Sequence, residues 1–135
     1  MKKNVVLVTV CCILLVMMGS CQNTTKSYNL VVVQNQQPIK AYTIKMIQKM
    51  PSKSFILDGK VESGPTLAVL LEDAGIKEFS EIFVKNDAGE YFQTKNPEKY
   101  ILDITNRGTV KLASEELSKD QWLKDITEIE SKSQP

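Results

Sequence analysis

The stretch SGPTLAVLLEDAGI, Ser63 to Ile76, decides how this chain is read. Gly64-Pro65 punctuates the chain, and Thr66 can accept a hydrogen bond from a free amide of a first helical turn. Leu67, Leu70, Leu71 and Ala74 then recur at i, i+3, i+4 and i+7, which is one apolar stripe on a helix. Gly75 stands where a left-handed stop is needed, because it has no Cβ to clash, and Ile76 packs back. The stripe is a core face, not a ligand box.

Upstream, YNLVVV (Tyr28 to Val33) is rich in strand formers, NQQP turns the chain, and Ile39 to Tyr42 returns as a second strand. Thr43 can cap a short helix, IKMIQKM, that Pro51 ends. Asp58-Gly59 between FIL and KVE predicts a tight hairpin. Downstream, EIFVKN and YFQT flank the turn Asp87-Ala88-Gly89, a second hairpin. YILDIT (Tyr100 to Thr105) alternates partly like a strand, and Asn106-Arg107-Gly108 turns it into TVKL. WLKDITEIE (Trp122 to Glu130) closes the pattern, with a period that fits a strand or a helix face. Trp122 reads as a core anchor, because an indole can bury so much area.

The chain opens MKK, continues with an apolar stretch of 14 residues, Val5 to Met18, and reaches Gly19-Ser20-Cys21. A membrane span needs ~20 apolar residues, whereas a signal peptide is this short and carries these flanks. Met18-Gly19-Ser20-Cys21 resembles a bacterial lipobox. That resemblance implies cleavage before Cys21 and a diacylglycerol thioether on its sulfur; the alternatives are an uncleaved anchor, or ordinary export with an incidental cysteine. The sequence therefore divides into a lipoprotein signal peptide (1–20), a lipidated tether (21–27), a folded domain (28–130) and a disordered tail (131–135). The implied location is the cell envelope, on the extracytoplasmic side of the membrane.

The remainder of 115 residues is enough for one domain with its own core. Cys11 and Cys12 leave with the signal and Cys21 is alkylated, so the domain keeps no thiol for a disulfide, a nucleophile or a metal. The chain has no histidine. The usual zinc, copper and haem ligand sets and the histidine-dependent triads are thus excluded. Fifteen basic residues face 16 acidic ones once Lys2 and Lys3 are gone, and they are interspersed, so no footprint for nucleic acid exists.

Four landmarks in order resemble the molybdopterin-binding domain of the sulfite oxidase family: LVVVQNQQPIKAYTIKMIQKMP, SGPTLAVLLEDAGI, EIFVKNDAGEYFQT and WLKDITEIE. The likeness covers Tyr28 to Glu130 and implies an α+β fold, a single mixed β-sheet domain with short helices. It also implies a molybdenum-ligating cysteine between the first helix and the glycine–leucine segment. PSKSFILDGKVES (Pro51 to Ser63) has none, and serine or aspartate does not replace a soft thiolate. Arg107 is the sole arginine, so the cationic set that would hold the anionic cofactor is missing too. The interval from Thr94 to Leu112 is shorter than in those enzymes and leaves little room for a pterin.

No catalytic residue, metal site or cofactor is therefore expected. Glu72-Asp73 and Glu115-Glu116 read as solvated faces, and Asp120, Asp125, Glu128 and Glu130 lack calcium-loop spacing. Asn106 and Arg107 are the one possible anion contact, since a guanidinium in a loop can fork onto a carboxylate or phosphate. The alternative for them is an exposed turn. The expected function is a non-catalytic binding or accessory module, held to the membrane through Cys21, with an unknown small molecule or envelope protein as partner. The alternatives are a cofactor-binding oxidoreductase or electron-transfer component without cysteine ligation, and a subunit of an envelope complex that uses the apolar parts of Ile82 to Phe92.

Overall fold

The computed structural model describes residues 27–133. The expected signal peptide, Cys21 and most of the expected tether lie outside the described residues. Nine strands and two short α-helices follow one another: β1 (Leu30–Gln34), β2 (Gln37–Tyr42), α1 (Ile44–Gln48), β3 (Lys53–Leu57), β4 (Lys60–Gly64), α2 (Leu67–Asp73), β5 (Glu81–Asn86), β6 (Tyr91–Thr94), β7 (Ile101–Ile104), β8 (Val110–Ala113) and β9 (Ile126–Lys132). Single 3-10 turns sit at Pro97–Lys99 and Lys119–Gln121. Among the described residues no helix is long and apolar enough to cross a membrane.

The class is α+β with a mixed sheet, as expected. The strands are divided, however, between a five-stranded sheet of order β2-β1-β9-β5-β6 and two separate hairpins, β3–β4 and β7–β8. Only the β1–β9 pair of the large sheet is parallel; the others are antiparallel. The closing segment is therefore a strand rather than a helix, and it fills the middle of the sheet. It also runs past Glu130. Ser131 and Lys132, expected in the tail, pair with β1 or β5, and Ser131 is fully buried.

Local chemistry sets most of these elements. Thr43 and Thr66 both accept from the amide three residues on, at 3.3 and 3.2 Å, and so cap α1 and α2. At the end of α2 the Gly75 amide bonds Glu72 O and the Ile76 amide bonds Leu71 O, both at 2.9 Å, with Gly75 at φ +80°. This is a Schellman stop. Asp58 and Gly59 both take positive φ, and so do Asn35 and Gln36, which suits the tight turns of β3–β4 and β1–β2. The first turn is tighter than NQQP suggested, since Pro38 already pairs with Val33.

One face of the large sheet carries Leu30, Val32, Ile82, Val84, Ile126 and Ile129 into the main core. Ile47 of α1, Leu67, Leu70 and Leu71 of α2, and Leu102, Val110 and Leu112 of the β7–β8 hairpin pack against it. The outward side of β7–β8 meets the β3–β4 hairpin through a smaller core of Phe55, Ile101, Ala113 and Trp122. Trp122 stands edge-on to Phe55 at 6.2 Å and donates its indole N–H to Ser114 O and Leu117 O. The two hairpins come so close at Gly64 that an added Cβ would lie 2.0 Å from Leu102 O. Only glycine fits there.

Candidate functional site

The interface between the hairpins has an apolar half and an ionic half. Cross-strand partners Phe55 and Glu62 both face inward from β3–β4, while Ile101↔Ala113 and Asp103↔Lys111 are cross-strand partners on β7–β8. Phe55 joins the apolar set, and Glu62 meets the ionic one. Glu62 is 1 % exposed, and Lys111 Nζ lies 2.7 Å from its Oε2. That approach falls outside hydrogen-bonding angles, so neither Glu62 oxygen has an aligned donor. Lys111 also reaches Asp103 at 3.5 Å and sits 5.3 Å over the Trp122 ring.

Two carboxyls and one ammonium in a half-dry space cannot all behave independently. Burial pushes Asp103 up, and the neighbouring Glu62 adds to this against the pull of Lys111, so Asp103 keeps its proton to about 6. Burial would also raise Glu62, but its contacts with Asp103, Lys111 and then Lys60 outweigh that and hold it below the usual carboxylate range. Below a pH of about 6 a protonated Asp103 can donate to Glu62, whose oxygens otherwise have no aligned donor.

Above this cluster runs an open groove of about 360 Å³, lined by Lys60 and Val61 from β4, Asp103, Ile104 and Lys111 from β7–β8, the Thr105-Asn106-Arg107 turn, and Lys124. The sequence candidates Asn106 and Arg107 are therefore in one place with three lysines. Arg107 does fork onto a carboxylate, and that carboxylate is the protein's own: Nη2 donates to both oxygens of Asp125 at 2.9 Å. Thr109 donates its hydroxyl to the same Asp125 at 2.8 Å. The other guanidinium nitrogens make no hydrogen bond among the described residues. Asn106 is exposed at the rim.

The remaining polar candidates have their own partners. Asp73 accepts from Lys40 at 2.8 Å and from the Tyr42 hydroxyl at 2.6 Å, which ties α2 to β2. Glu116 pairs with Lys99 at 3.0 Å. Asp125 belongs to Arg107, whereas Glu128 and Glu130 share Lys85 on the open face of the large sheet, so these carboxylates do not converge. Of the apolar stretch Ile82 to Phe92, Ile82 and Val84 are fully buried in the main core, leaving Phe83, half-buried, and Tyr91, exposed, on the outer side.

Sequence reasoning missed Glu62, Asp103 and Lys111. One signal was present. A strand covered on both sides is an apolar run, and Asp103 interrupts YILDIT at an inward position.

The groove can hold an anion by charge and by N–H donors; it presents neither thiolate nor imidazole to a metal. No protein-family profile matches this chain, and no curated protein matches it in sequence.

Proposed function

We propose that the chain is a non-catalytic binding module, tethered by an acylated Cys21 to the extracytoplasmic side of a membrane, and that its ligand is anionic. The observation that carries this reading is the meeting of Asn106 and Arg107 with Lys60, Lys111 and Lys124 around one open groove. Asp125 already fixes the guanidinium, so a ligand need not order it, and a pre-positioned donor costs less to bind than a mobile one.

The scaffold proposed is the sulfite-oxidase-like one. Its support is the order of strand, turn, strand, short helix, then hairpin, then capped leucine helix. The interval where that family supplies its metal thiolate is here the β3–β4 hairpin, whose inward residues are Phe55 and Glu62. A carboxylate locked to Lys111 is no soft ligand, which favours a binding role over redox chemistry.

Two measurements test the proposal. The intact mass of the protein purified from membranes should show diacylglycerol on a mature N-terminal Cys21. Titration with inorganic phosphate should shift the amide resonances of Lys60, Asn106, Arg107 and Lys124 while leaving those of the large sheet still. Stoichiometric molybdenum in the purified protein would end this reading, as would phosphate shifts scattered over the surface.

A further inference from the structure

The groove lies at the end of the molecule from which the tether departs. β1 and β9 run parallel, with Val31 opposite Glu128, so the entries into the two strands are neighbours. Tyr28, two residues before β1, donates its hydroxyl to Ile126 O. Ile126 follows Asp125, the residue that holds Arg107. The described chain therefore begins, at Ser27, at the end of the fold that carries Asp125 and Arg107. The six peptide steps from Cys21 to Ser27 reach at most ~20 Å. An acylated Cys21 therefore holds Ser27, at the groove's end of the fold, within that distance of its own membrane.

The β4 side of the groove pairs Lys60 with an apolar neighbour. Val61 lines the groove and is 61 % exposed, and its cross-strand partner Ile56 is 71 % exposed on the same outward side of the hairpin. Exposed aliphatic side chains beside lysine and arginine suit the boundary between headgroups and acyl chains. Lys111 is committed to Glu62 and Asp103, and Lys60 reaches Glu62 only at 3.9 Å with 66 % of its side chain exposed. Lys60, Lys124 and the unbonded nitrogens of Arg107 are thus the donors left to outweigh the Asp103 carboxyl in the same lining. Asp87, whose amide approaches Asp125 O at 3.4 Å on the β5–β6 side, bounds the positive surface. The site is a headgroup-sized notch rather than a broad basic face.

Resting on the tethered-module reading, we infer that the groove seats the phosphate of an anionic membrane lipid, with Ile56 and Val61 entering the interface beside it. To test this, the acylated protein is reconstituted into phosphatidylcholine vesicles with and without phosphatidylglycerol. Ile56→Cys carries an environment-sensitive fluorophore, and amine labelling of Lys60 and Lys124 is followed by peptide mass. With phosphatidylglycerol the emission should move to the blue and labelling of both lysines should slow several-fold. Lys60→Gln combined with Lys124→Gln should abolish the emission shift. Equal emission and labelling in both vesicles would overturn the inference. Equal protection of the two lysines by inorganic phosphate over pure phosphatidylcholine would overturn it too, by making a free anion the ligand. An acylated protein with an unresponsive groove removes this inference alone, whereas an unmodified Cys21 removes the tether and this inference with it.

Discussion

The two halves of this molecule are closed by different forces. Between the large sheet and its helices the contact is apolar: Leu70, Leu71, Ile82, Val84 and Ile129 are all essentially inaccessible to water. Between the two hairpins half of the contact is Phe55 against Trp122, and the other half is Glu62, Asp103 and Lys111. Apolar burial is non-directional and indifferent to pH. The buried pair of Glu62 and Lys111 stabilises only while both are present, since losing one leaves a desolvated charge behind. The first region is built for stability, and the second holds charges in place under a groove.

The contrast would break most visibly at Lys111. Lys111→Met strands Glu62 and should cost about 3–5 kcal/mol in urea unfolding, whereas the double change with Glu62→Leu should recover most of that loss. A single change costing under about 1 kcal/mol would mean that the ions do not hold the hairpins together. Leu70→Ala in the other region should cost about 3 kcal/mol through its cavity, with the same value at pH 4.5 and pH 7.

Asp103→Asn sharpens the difference. A carboxyl held up at about 6 in the folded protein contributes stability that is complete below its ordinary value of about 4 and is lost as pH rises through about 6. Glu62 runs the other way, its contribution being present above its ordinary value and lost on acidification. Asparagine cannot titrate, so the decline in melting temperature between pH 4 and pH 6 should flatten, leaving the variant about 1–2 kcal/mol better off at pH 7 than Asp103 allows. Smallest of all is Arg107→Ala. Its side chain is 66 % exposed, so the pair with Asp125 should be worth less than about 1 kcal/mol in unfolding, yet phosphate-induced shifts in the groove should vanish.

The apolar region was the legible one. Thr66, the leucine stripe, Gly75 and Ile76 state the start, face and end of α2, because caps and periodicity are local physics. Hairpins at Asp58-Gly59 and Asp87-Ala88-Gly89 were readable for the same reason. The polar half was not. Nothing near Glu62 in sequence says that KVES turns its glutamate inward and its valine out, since alternation has two phases and only the neighbouring hairpin chooses between them. Asn106-Arg107 could be singled out as a lone arginine in a turn, but its partner Asp125 stands 18 residues away. The three lysines around it come from three different parts of the chain. The closing strand was ambiguous because its residues fit either period, and pairing with β1 and β5 decided it.

The position of that closing strand constrains how the protein is made. Among the described residues β9 is the only strand that joins the β1–β2 ribbon to the β5–β6 ribbon, so the sheet has no centre until Lys132 has left the ribosome. Until then the nascent chain holds two short ribbons, each offering an unpaired edge to any strand nearby. Assembly then waits on the pairing of Val31 with Glu128 and its neighbours, segments far apart in sequence, the slowest kind of contact to form. A product ending even a dozen residues early would lack the bolt altogether and should be cleared by proteases rather than accumulate.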